Sequence, residues 1–132
     1  MRNFFFYGHS GFRYLILLLG VATILYALFG AITKRPYDKP MRTLSSGLAA
    51  AMHMQILLGF ALIFSGRFYP AVAIHFLVML LAAASAQIPV SVMRRRPSEE
   101  KSYLPHAIWA AVSLGLITAG LMAIGRPIVG GG

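Results

Sequence analysis

The chain has 132 residues, 58% of them hydrophobic and 11% charged, with a formal net charge of +9 and no cysteine. A soluble domain is ordinarily about a quarter charged, so this composition points to a membrane protein. Without cysteine there is no disulfide framework, no thiolate-held iron–sulfur cluster and no C-x-x-C-H haem attachment, while non-covalent haem stays open.

Four stretches, 14–33, 43–66, 68–93 and 102–125, contain no Lys, Arg, Asp or Glu. Each reaches the roughly 20 residues that cross a hydrocarbon core of about 30 Å. The first helix is expected to begin near Phe4, because the aromatic run FFFY suits a membrane interface and only Arg13 interrupts the apolar pattern. Its apolar region is too long for a cleaved signal peptide, and no small-residue cleavage site follows it. Pro40 stops the first helix from continuing, and Thr43, Ser45 or Ser46 is expected to cap the second. After the tight connection SGRFYP, Pro70 suits the first turn of the third, and Pro89 is expected to bend or loosen its last turns. The fourth is expected to start around SYLPH, with Ser102 as cap and Pro105 in the first turn. Helices are thus predicted over about 4–33, 43–66, 69–93 and 103–125, one transmembrane domain filling residues 1–132.

Short connections make neighbouring helices antiparallel, so the expected fold is an all-α integral membrane protein, an up-down four-helix bundle. Gly20, Ala27, Gly47, Ala82, Ala86, Gly115 and Gly120 are the small residues expected to let helices approach. Lys34, Arg35, Lys39 and Arg42 in the first connection and Arg94, Arg95, Arg96 and Lys101 in the third share one membrane face. Arg2, Arg13, Arg67 and Arg126 belong to the other. The positive-inside rule then places both basic connections in the cytoplasm and both termini outside. The charge also favours weak contact with anionic lipid headgroups. A nucleic-acid role would need aromatics interleaved on a soluble basic face, and no such face is present.

All three carboxylates, Asp38, Glu99 and Glu100, fall in the basic connections. With none in the membrane, proton or cation pumping by acidic relays loses its machinery, as do paired general acids and bases. What remains inside is Arg13, two glutamines and one histidine per helix: His9, His53, His75 and His106. His53 shares its helical face with Ala49, Ala50, Phe60 and Phe64, His75 with Ala71, Met79, Ala82 and Ala86, and His106 with Trp109, Ala110 and Ser113. Imidazole over small and aromatic residues is what a macrocycle between helices requires: nitrogen for iron and room for the ring edge.

Helices one and three stand diagonally in an up-down bundle, as do two and four, so His9 with His75 and His53 with His106 are the two candidate axial pairs. Depth matches them imperfectly. At 1.5 Å per residue His9 lies about 37 Å from Lys34 and His75 about 28 Å from Arg94, against about 16 Å for His53 from Arg42 and about 7 Å for His106 from Lys101. The bland reading of any one of these histidines is a hydrogen-bonded packing residue near a helix end. Arg13 either snorkels outward or points inward beside His9 toward a haem propionate or quinone oxygen. Met52, Met54 and Met79 are packing residues by default, although methionine also ligates haem.

The stretches HSGFRYLILLL (9–19), HMQILLGFAL (53–62) and HFLVMLLA (75–82), with a basic connection before a fourth helix, resemble a family of small four-helix bacterial membrane proteins labelled cytochrome b-like. The resemblance implies haem b, one or two groups, with His9, His53 and His75 at the matching positions. His106 lies outside the three motifs. The leading expectation is a b-type cytochrome that passes single electrons between the quinone pool and a partner, an electron carrier rather than an enzyme with its own substrate. His53 is expected to face the bundle interior as an axial ligand. The rival is a haem-free accessory subunit of a larger respiratory or photosynthetic complex; the expected partners are membrane lipids and either such a complex or further copies of the chain in a homo-oligomer. A small transporter or metal-handling protein using His53, Met52 and Met54 is the third.

Overall fold

The structure is a computed structural model that describes residues 2–64 and 70–125. Helix α1 spans Arg2–Ile32, α2 Lys39–Phe64, α3 Pro70–Arg95 and α4 Leu104–Ala123, with a short 3₁₀ turn at Ser98–Glu100 before α4. All four are long and apolar enough to cross a membrane. Extensive contacts join α1 to α2, α2 to α3, α3 to α4 and α4 back to α1, so α1 faces α3 across one diagonal and α2 faces α4 across the other. The fold is the up-down four-helix bundle expected from four apolar segments and short connections.

Helix boundaries follow local chemistry that differs from expectation at three points. Lys34 adopts a left-handed φ of 55° just beyond the end of α1, so the chain turns before Pro40 is reached. Asp38, rather than Thr43, Ser45 or Ser46, opens α2: its Oδ1 accepts the Met41 N–H at 3.1 Å. Pro40 sits inside that first turn, where the missing N–H would have no partner anyway. Ser102 does not cap α4. Tyr103 occupies the N-cap position without a side-chain cap bond, and Pro105 lies in the first turn. Pro89 is buried inside α3, which continues as helix to Arg95.

Small residues bring the helices together. Ala27, Ala82 and Ala86 are fully buried, and a Cβ at Gly20 would meet the Leu114 side chain at 2.8 Å. Gly115 faces outward, with nothing within 4 Å of an added Cβ. Ile16, Leu48, Met52, Ala82, Ala110 and Ile117 belong to a central cluster, while Ala27, Met41, Tyr103 and Ala107 form a second one at the basic end. Hydroxyls inside satisfy themselves on backbone carbonyls: Thr23 on Leu19 at 2.7 Å, Ser85 on Leu81 at 2.9 Å and Ser113 across to Ala82 at 2.9 Å. In lipid every polar group needs such a partner. Packing is uneven along the bundle. No described residue of 53–64 or 70–81 is fully buried, whereas α2 buries Met41, Ser45, Leu48, Ala49, Ala51 and Met52 nearer the basic end.

Candidate functional site

The polar side chains of the bundle form three groups. The largest lies at the basic end. His106, in the first turn of α4 and 1% exposed, engages both ring nitrogens: Nδ1 with Ser45 Oγ at 2.8 Å and Nε2 with Tyr37 Oη at 2.6 Å. The Tyr37 ring stacks on the imidazole, centroids 5.6 Å apart. Tyr37 stands in the α1–α2 connection, so this segment folds back over the mouth of the bundle. Burial pushes its phenol up to about 12.

Beside it, Asp38 collects donors. Oδ2 accepts from the Tyr26 hydroxyl and from Arg35 at 3.2 Å, while Oδ1 caps α2. Burial pushes this carboxyl up, but the hydrogen bonds from Tyr26 and the Met41 amide, with the Arg35 charge, outweigh it and hold the group below its ordinary value. Tyr103 donates to Pro36 O at 2.6 Å, and its ring packs so closely on α1 that a Cβ at Gly30 would lie 2.6 Å from it. Burial and the Asp38 charge raise the Tyr103 phenol. The connection 33–38, which reads in the sequence only as a basic loop, is therefore a built lid. Only its last residue carried a local signal: Asp38, two residues before Pro40, is a helix-opening pattern for α2.

The second group runs along the α2–α3 edge. His53 is exposed and its Nε2–H donates to Gln87 Oε1 at 3.0 Å, while Gln87 Nε2 donates to Ser91 Oγ at 3.0 Å. The expectation that His53 faces the interior is overturned. Leu48, Ala49 and Met52 supply the inward face of α2, and one residue beyond Met52 rotates the side chain about 100° away. Phe60 and Phe64, its expected cover, are 41% and 84% exposed. His53 and His106 are thus not brought together as an axial pair, because each is committed elsewhere. Nor do Met52, His53 and Met54 converge: the first is 2% exposed and the last 49%.

The third group lies toward the opposite end. His75 Nδ1–H donates to Gly120 O at 2.8 Å. Gly120 has no side chain because a Cβ there would sit 2.6 Å from Met79 Cε and 3.5 Å from His75 Nδ1. Donation from Nδ1 fixes the tautomer with the basic lone pair on Nε2. A metal-ligating histidine is usually oriented in this way, its other nitrogen bonded to a carbonyl. Arg13 is 6% exposed and points into the bundle, donating to Tyr14 Oη at 2.9 Å with its guanidinium 4.8 Å from that ring centroid. His9 precedes Arg13 by one turn on α1, and its side chain lies outside the described residues.

Comparison with protein-family models, curated proteins and solved structures finds no match.

Proposed function

We propose that the chain is a multi-pass b-type haem protein of the bacterial inner membrane that carries single electrons between the quinone pool and a partner. A single haem would lie between α1 and α3, on the side away from the basic end. The observation that supports it is the His75–Gly120 bond, which presets Nε2 of a membrane histidine as a ligand nitrogen. His9, on the diagonal helix, would be the second ligand in this reading, and Arg13, a buried cation one turn on from His9, would lie near a propionate or quinone oxygen. His106 does not fit the group, since ligation would break one of its two hydrogen bonds, and outward-facing His53 does not fit it either. Haem b supplies a one-electron iron couple, and two histidine ligands leave no open position for oxygen. Purified chain in neutral detergent should give a Soret band and a positive pyridine haemochrome. His75→Ala should lose both while inserting normally. A haem-free wild-type preparation would overturn the reading.

A second reading, a haem-free accessory subunit of a larger respiratory or photosynthetic complex, draws on the uneven packing. The halves of α2 and α3 over 53–64 and 70–81 bury no described residue within the chain, leaving a surface that another membrane helix would cover. Stoichiometric co-purification of a large partner, with no haem on this chain, would favour it.

A further inference from the structure

At the basic end a cleft of about 210 Å³ opens between α2, α3 and α4. Arg42, Arg94 and Lys101 line it, together with Tyr37, Ser45 and His106. It is smaller than the roughly 300–1,000 Å³ sites of drug-sized ligands, so it suits a small group rather than a macrocycle. Among the described residues its lining includes three cations and no carboxylate. Such a surface concentrates anions.

Charge alone would not make a site, but the floor of the cleft adds direction. The Tyr37 hydroxyl, the neutral His106 ring and the Ser45 hydroxyl carry three hydrogens among them, and two hydrogen bonds join the three groups. If Tyr37 donates to Nε2, Nδ1–H must donate to Ser45, and the Ser45 hydrogen is left over. In the other tautomer Ser45 donates to Nδ1, Nε2–H donates to Tyr37, and the Tyr37 hydrogen is left over. Either way one hydroxyl hydrogen remains, on a side chain that lines the cleft. Neither hydroxyl has another acceptor among the described residues. Ser45 is 2% exposed, so for it bulk water is a poor substitute.

We infer that this cleft binds a phosphoryl group: Arg42, Arg94 and Lys101 neutralise its charge, and the Tyr37–His106–Ser45 chain donates a directed hydrogen bond to one oxygen. The phosphoryl group belongs either to an anionic phospholipid headgroup in the adjoining leaflet or to a soluble phosphate; the recognition chemistry is the same. The site does not depend on haem.

The test uses the full chain in neutral detergent at fixed sodium chloride. Calorimetric titration with inorganic phosphate reads the soluble source. Native mass spectrometry after reconstitution in equimolar phosphatidylcholine and phosphatidylglycerol vesicles reads the lipid source, as one phosphatidylglycerol retained per chain. Saturable one-to-one binding in either arm supports the site, and Arg94→Gln should weaken it by about tenfold, the loss expected for one charge-assisted hydrogen bond. Ser45→Ala should weaken it severalfold without changing charge. Arg96→Gln, which removes an exposed charge outside the lining, should leave it unchanged. Because Arg94 is exposed and has no part in the His106 network, its variant carries the test even if Ser45→Ala fails to fold. Binding in neither arm overturns the proposal. An Arg96→Gln loss equal to that of Arg94→Gln does so too, since diffuse charge would then account for the attraction.

Discussion

His106 on α4 and His53 on α2 illustrate how one residue type takes opposite roles on helices that face each other across the bundle. His106→Phe leaves the Ser45 hydroxyl buried without its partner, and an unsatisfied buried group costs roughly 1–3 kcal/mol. The thermal midpoint in detergent should fall. His53→Ala loses only an exposed bond to Gln87, so the midpoint should stay near wild type and, if the proposed haem is bound, so should its Soret band; loss of that band in this variant would make His53 a ligand. Three groups outside the spans, Asp38, Tyr37 and Tyr103, set the pH response. Asp38 has a depressed folded pKa, so its contribution is present above the unfolded value of about 3.9 and is lost as pH falls through the folded value. Tyr37 has a raised one, about 12. Its contribution is complete below the unfolded value of about 10 and disappears as pH rises through the folded value. Circular dichroism across both limbs should show Asp38→Ala removing acid sensitivity, and Tyr37→Phe removing part of the alkaline loss. The remainder belongs with Tyr103, whose phenol is also raised.

At the scale of elements, the bundle closes where glycine and alanine let helices meet. Gly30 on α1 receives the Tyr103 ring, and that ring is anchored by its hydroxyl on Pro36 O. An anchored aromatic cannot retreat by a few tenths of an ångström, so Gly30→Ala should overpack the α1–α4 contact at a cost of about 1–3 kcal/mol. Gly115→Ala is the matched control, since an added Cβ there meets nothing within 4 Å. It should be neutral or slightly stabilising, because alanine favours helix over glycine by roughly 1 kcal/mol. Unfolding midpoints of the two variants in one detergent check the contrast.

For the molecule as a whole, the distribution of charge and the direction of the helices make one prediction. Both basic connections lie at the same end of the bundle, and the positive-inside rule puts that end in the cytoplasm. The chain has no native cysteine, so single substitutions report sidedness cleanly. Gly8→Cys should react with a membrane-impermeant maleimide on intact spheroplasts, and Thr33→Cys only after permeabilisation. The reverse pattern would overturn the orientation.

Sequence by itself determined the four spans, their antiparallel order and the end that carries the charge. Those properties follow from the length of apolar runs, the shortness of connections and the placement of Lys and Arg, all of which are local. Of the small residues it marked, Gly20, Ala27, Ala82, Ala86 and Gly120 lie at close helix contacts, whereas Gly30, Ala83 and Ala107 emerged only with the packing. Only the tertiary structure decided which way each polar side chain faces. His53 lies one residue beyond an inward methionine, and a 100° rotation separates a ligand from an outward-facing group, a difference that composition cannot resolve without knowing where α3 lies. The lid at 33–38 was hidden for the same reason. Its hydrogen bonds join Tyr26 to Asp38, Pro36 to Tyr103, and Tyr37 through His106 to Ser45, residues up to 69 positions apart. Such partners become neighbours only when α1, α2 and α4 are packed together.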